Sequence, residues 1–109
     1  MLEPLLESGA KEKILLCVFT HGESYPREIA RSLGLNVNTV QYQLLKLEGG
    51  GVLYSKLKGR IRLFGFNPRY PFKKELEALL EKTLGFVPEA ERQRLYTPRL
   101  RPRRTGKPL

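Results

Sequence analysis

The chain has 109 residues, 40% of them hydrophobic, which is enough for one small core and too little for two. Its 20 Lys and Arg against 11 acids give a formal net charge of +9, so the expected partner is a polyanion, either nucleic acid or an anionic membrane surface. Every acid is a glutamate and there is one His and one Cys; metal-assisted and triad chemistries need several convergent groups, so the inventory argues against an enzyme.

Ser8 predicts the cap of a first helix from about Gly9 to Thr20, with Ile14, Leu15, Val18 and Phe19 on its apolar face and His21-Gly22 ending it. The run Ile14 to Phe19 is the longest apolar stretch, and its six residues fall far short of the ~20 that span a bilayer. No membrane partner is expected. The start of the chain also lacks the basic-then-apolar layout of a secretion signal, so a cytoplasmic location is the expectation. Cys17 and His21 are four residues apart, a spacing that sets two ligands on one helix face. Two ligands do not make a metal site, and a buried structural cysteine is the expectation, with no metal or other cofactor.

Next, Ser24 or Tyr25 precedes Pro26, a favourable first helical residue, and "PREIARSLG" runs to a glycine suited to the left-handed position after a helix. Only Gly34, Leu35 and Asn36 separate this segment from the next, which opens at Val37. Ala30 is small where two helices would pack closely, Ile29 and Leu33 point coreward, and Leu35 plugs the gap while Asn36 caps the second helix. Taken together these residues predict a helix-turn-helix.

In that second helix Val37, Val40, Leu44 and Leu47 recur at three- and four-residue steps and define an inward stripe. A helical wheel then turns Asn38, Tyr42 and Lys46 outward, flanked by Thr39 and Leu45, with Gln41 and Gln43 at the margins. Most of that surface is uncharged and rich in hydrogen-bonding groups. Asn and Gln pair bidentately with adenine, Thr touches a thymine methyl or a phosphate, and Lys reaches guanine or phosphate.

"EGGG" ends the helix, and "VLYSKL" and "IRLFGFN" read as two strands joined through Lys58-Gly59-Arg60, a hairpin with the character of a wing. Ile61 and Leu63 alternate with Arg60 and Arg62, which predicts one apolar and one basic face. Lys56, Lys58, Arg60 and Arg62 follow one another without an intervening acid, as groups that hold phosphates would.

"NPRYPFKKELEALLEKTLGF" starts another helix at about Pro71, extending over residues 71–85, with Leu76, Leu79, Leu80 and Leu84 as its stripe. The stripe either pads the core or meets its copy in a second subunit; dimerisation is the favoured expectation, since symmetric dimers are the commonest oligomers. The domain therefore covers residues 1–87. Residues 88–109 carry +5 of the net charge, and "PRLRPRRTGKPL" is proline-punctuated and almost free of apolar groups, so a flexible basic tail is expected. It is either a solvated end or an arm that follows phosphates or a minor groove.

The expected fold class is α+β: mostly helical with a small β-wing, a winged helix-turn-helix with an added helix and the tail. Residues "YPREIARSLGLNVNTVQYQLLKLEGGGVLYSKLKGRIRLFGFNPRYP" resemble the winged helix-turn-helix of bacterial and archaeal transcription regulators of the ArsR type. They are most similar to small proteins in which an "NPRYP" element and a further helix follow the wing. The likeness spans about Lys11 to Gly85. It implies a homodimer on a partly palindromic DNA operator, with a reading role for Asn38, Thr39, Gln41 and Tyr42 and a wing role for Lys58, Arg60 and Arg62. One departure is plain: metal-sensing members carry a cysteine motif on a helix of the reading pair, and this chain has no cysteine there.

The candidate DNA contacts are thus Asn36, Asn38, Thr39, Gln41, Tyr42, Gln43, Lys46, Lys56, Lys58, Arg60 and Arg62, and the candidate dimer contacts are Leu76, Leu79, Leu80 and Leu84. The leading expectation is a sequence-specific double-stranded DNA-binding regulator, a repressor or autoregulator. The alternatives are a protein-interaction module built on the winged fold, holding a protein partner, and a nonspecific nucleic-acid binder acting through the tail.

Overall fold

Ser8, in extended conformation, accepts the Lys11 backbone N–H on its hydroxyl at 3.0 Å and so starts the helix that organises the molecule. In the computed structural model, which describes residues 1–97, that helix is α2 (Gly9–His21), preceded by one turn of helix, α1 (Glu3–Leu6). Ile14, Leu15, Leu16, Cys17 and Val18 are all buried, so α2 is enclosed nearly all round rather than along the single face expected. Gly22, at φ 85°, ends it and leads into a two-residue strand, β1 (Glu23–Ser24).

Tyr25 is extended and Pro26 opens α3 (Pro26–Leu33). The N–H groups of Gly34, left-handed at φ 68°, and of Leu35 both donate to the Ala30 carbonyl, closing the helix and aiming the chain into α4 (Val37–Gly49). Val40, Leu44 and Leu47 are buried as their spacing predicts, and Val37 is half-buried.

Strands β2 (Leu53–Lys58) and β3 (Ile61–Phe66) form a hairpin whose two-residue loop begins with Gly59 at φ 64°. The sheet is antiparallel, in the order β1-β3-β2. Residues directly opposite each other share a face, so Ser55 stands with Phe64 and Leu57 with Arg62, while Lys56 stands with Leu63 and Lys58 with Ile61. Fully buried Phe64 and Leu53 identify the first set as the core side. The expected division into an apolar and a basic face therefore fails. Ile61 and Leu63 lie on the outer face beside Lys56 and Lys58, and Arg62 lies on the core side, because Phe64 fixes the parity of its strand.

After β3, Asn67 makes the corner: its Nδ2 donates to the Gly51 carbonyl at 3.0 Å and its Oδ1 accepts the Arg69 N–H at 3.0 Å. This turn delays the next helix, α5 (Lys73–Leu84), by two residues from its expected start. Leu80 and Leu84 of α5 are buried within the single chain against α2, and Leu76 and Leu79 are half-buried against the same core. Of the two expectations for this stripe, the burial of Leu80 and Leu84 within one chain follows core padding.

Where the basic tail was expected to begin, the chain instead forms α6 (Glu89–Leu95). Leu95 and Tyr96 are buried, and that burial drives the Tyr96 phenol pKa upward. Two apolar groups suffice to bring this charged turn onto the body. Pro98 to Leu109, the proline-rich part of the tail, lies outside the described residues. No helix among the described residues is long and apolar enough to cross a membrane.

A polar lock ties the outer face of the sheet. The Tyr54 hydroxyl donates to Glu23 on β1, and Lys56 pairs with the same carboxylate at 3.1 Å. Tyr54 reaches Glu23 by crossing Gly65, where an added Cβ would lie 2.6 Å from the phenol oxygen, so only glycine leaves it room. The bond from Tyr54, helped by Lys56 and opposed by burial, lowers the Glu23 pKa. Burial and the Glu23 carboxylate push the Tyr54 phenol up to about 12.

Two outcomes follow from this packing. Leu80→Ala is expected to cost about 2–5 kcal/mol in urea unfolding, equally at low and high protein concentration; a loss that grows with dilution would return the leucine to a subunit interface. The Tyr54 phenol holds its proton more tightly when folded, so its contribution is complete below pH 10 and is lost as pH rises through about 12. Unfolding midpoints measured across that window should fall more steeply for the unaltered chain than for Tyr54→Phe.

Candidate nucleic-acid interface

The turn between α3 and α4 sets the outer surface of α4. Asn36 accepts the Asn38 backbone N–H on Oδ1 at 2.7 Å, so its side chain is engaged as the cap, with its amide N–H groups and the second lone pair of its oxygen left for a ligand. With Val40, Leu44 and Leu47 turned into the core, Asn38, Thr39, Gln41, Tyr42 and Lys46 are exposed together. Tyr42 is 60% exposed, an unusual situation for an aromatic residue on a core helix. The Lys46 ammonium lies 5.4 Å from the centre of its ring, close enough for a cation–π contact. Gln43 differs from these: it is half-buried, and its Oε1 is enclosed without a hydrogen-bond partner among the described residues. It lies at the margin of the surface rather than on it.

The hairpin adds cations, but in two directions. Lys56 is occupied by Glu23 on the outer face, where Lys58 also lies. Arg60 is in the loop at the tip, and Arg62 is exposed on the face that continues toward α4. The four side chains thus surround the wing instead of forming one plane. Such an arrangement suits a hairpin that enters or straddles a groove with phosphates on either side better than one that lies flat on a uniform surface.

Sequence reasoning alone missed several neighbours of these groups. Leu57 is 64% exposed opposite Arg62, and Ser55, also on that face, hydrogen-bonds both Arg62 and Glu48 of α4. The signal was present in the alternation of "YSKLK" and "IRLFGF", but it becomes legible only once the register is known.

Cys17 and His21 do meet, with Sγ 3.5 Å from Nδ1, and the Ser24 hydroxyl is 3.5 Å from the same ring nitrogen. Among the described residues no group of three His, Cys, Asp or Glu side chains is arranged to hold a metal ion.

No family model and no curated protein matches the chain. Among solved structures, the apo form of a doubly substituted ZitR from Lactococcus lactis is similar, with a TM-score of 0.55 and 19% sequence identity over 84% of this chain and 78% of that one. At that identity the likeness is one of fold. Six helices and a three-stranded antiparallel sheet among the described residues, with the α3–α4 pair beside a hairpin, make the chain an α+β winged helix.

Proposed function

We propose that the chain reads double-stranded DNA through α4, is held to the backbone by its wing, and acts as a transcription regulator in the form of a homodimer. The observation that carries this reading is the exposure of Asn38, Thr39, Gln41 and Tyr42 on one helix surface that is uncharged except for Lys46, beside a hairpin bearing Lys58, Arg60 and Arg62. A helix that only met water would favour charged groups there, and a purely electrostatic binder would place more than one cation on the helix itself. The fold shared with ZitR and the resemblance to ArsR-type regulators support the same reading. The basic residues from Arg99 to Lys107 add sequence-independent attraction to phosphate in this scheme.

The dimer contact we propose is an exposed apolar surface formed by the N-terminus and the end of α5. Met1, Leu5 and Phe86 are exposed by 62–68%, and Met1 and Phe86 line a shallow apolar cleft of about 270 Å³ with Leu2, Leu79, Lys82 and Thr83. That surface takes the place of the expected Leu80 and Leu84 contact. None of its lining residues belongs to α4, β2 or β3.

The first test is fluorescence anisotropy with DNA from upstream of the chain's own coding sequence and with a scrambled duplex, at fixed salt. A preference of ~10³-fold or more is expected, and Asn38→Ala and Tyr42→Ala should each erode it by about 1–3 kcal/mol. Equal binding of both duplexes would sink the sequence-reading claim. For the dimer, Leu5→Glu combined with Phe86→Glu is expected to give monomers in sedimentation equilibrium and weaker binding to a two-half-site duplex; an unchanged association state would remove that surface from consideration.

A further inference from the structure

Three side chains connect α4 to the wing. The Ser55 hydroxyl donates to Glu48 Oε2 at 2.6 Å and accepts from Arg62 Nη1 at 2.9 Å. A serine hydroxyl has one proton and two lone pairs, so both roles are filled without conflict. Glu48 lies in the last turn of α4, where the helix dipole disfavours a carboxylate, and the Ser55 proton offsets part of that cost. Arg62 is exposed and forms no ion pair among the described residues. The guanidinium thus meets the serine oxygen through Nη1 rather than forming a salt bridge with Glu48, and its other N–H groups have no side-chain hydrogen bond among the described residues.

Resting on the DNA-binding reading above, we infer that Ser55 is a positioning residue: anchored to Glu48 on the reading helix, it holds the Arg62 guanidinium for a phosphate at a set distance from the α4 surface. An arginine free in solution must surrender side-chain freedom when it meets a phosphate. Here part of that freedom is already lost before DNA arrives, and the spacing between base-reading helix and backbone contact is built into the protein.

The test is a double-substitution cycle read by anisotropy on a random-sequence duplex across a salt series, so that it depends on phosphate contact and not on a known operator. Arg62→Gln is expected to weaken binding and to reduce the slope of log affinity against log salt by about 1. Ser55→Ala should weaken binding about three- to tenfold with the slope retained, because Arg62 still reaches its phosphate but from an unordered start. Ser55→Thr, which keeps the hydroxyl and suits a strand, should restore affinity. In the Arg62→Gln background Ser55→Ala should have no further effect, a result that general damage to the fold would not produce. The inference is overturned if the two effects multiply, if Ser55→Ala binds like the unaltered chain, or if Ser55→Thr fails to restore. Failure of the unaltered chain to bind any duplex would overturn the DNA-binding reading and this inference together.

Discussion

The structure depends on the enclosure of one helix. Five consecutive residues of α2, Ile14 to Val18, are buried, and α1, α3, α4, α5, β1 and β3 all contact it. Full burial of a large aliphatic side chain is worth about 1.5–3 kcal/mol, so this short run carries a major share of the driving force for a small domain. It also fixes orientation. Because α4 presents Val40, Leu44 and Leu47 to the shared core, its opposite surface is committed to solvent, whatever that surface is for. The exposure of Asn38 and Tyr42 is thus a consequence of packing, and their chemistry was open to selection for a ligand.

A second constraint comes from the sheet. Phe64 is completely buried, and in a strand that single fact assigns every other residue to a side. Arg62 must share the side of Phe64, and Ile61 and Leu63 must take the other. Glu23, Tyr54 and Lys56 then occupy the outer face together, where the Tyr54–Glu23 bond over Gly65 fastens two-residue β1 to the hairpin. The wing is consequently held from both sides: by this lock outside, and by Glu48, Ser55 and Arg62 on the side of α4.

Most of the helices could be read from local signals, because their determinants are local. Ser8, Pro26, Gly34 and Asn36 are caps and stops that act within four residues of themselves, and each occupies the position its chemistry requires. What the sequence concealed was long-range. The alternation of "IRLFGF" permits either face to be the core side, and only the pairing of β3 with β1 and β2, with Phe64 inward, decides between them. The leucine stripe of α5 was likewise ambiguous, since a stripe records that a face is buried and not what buries it. In α6 the composition misled: four charged residues in "EAERQRL" suggested a solvated tail, yet Leu95 and Tyr96 at its end are enough to dock it. Within the candidate interface, Asn38, Thr39, Gln41 and Tyr42 could be identified from periodicity, whereas the engagement of Lys56 by Glu23 and of Arg62 by Ser55 could not, because the pairs are distant in sequence or depend on register.

The distribution of charge around the wing bears on how specificity and affinity would divide. Lys56 is already compensated by Glu23, and Arg62 is tethered through Ser55, which leaves Lys58 and Arg60 at the tip as wing cations that form no salt bridge among the described residues. Exposed lysines and loop arginines contribute attraction that salt screens and that tolerates many geometries. A tethered arginine carries the same charge but adds alignment, since under the proposed DNA-binding reading it would meet a phosphate only where α4 is in register. A high net charge therefore does not by itself make the surface a sequence-blind one: under that reading, the tip and the basic residues beyond Thr97 would supply general attraction, while the mostly uncharged face of α4, coupled to Arg62, would be the part able to discriminate.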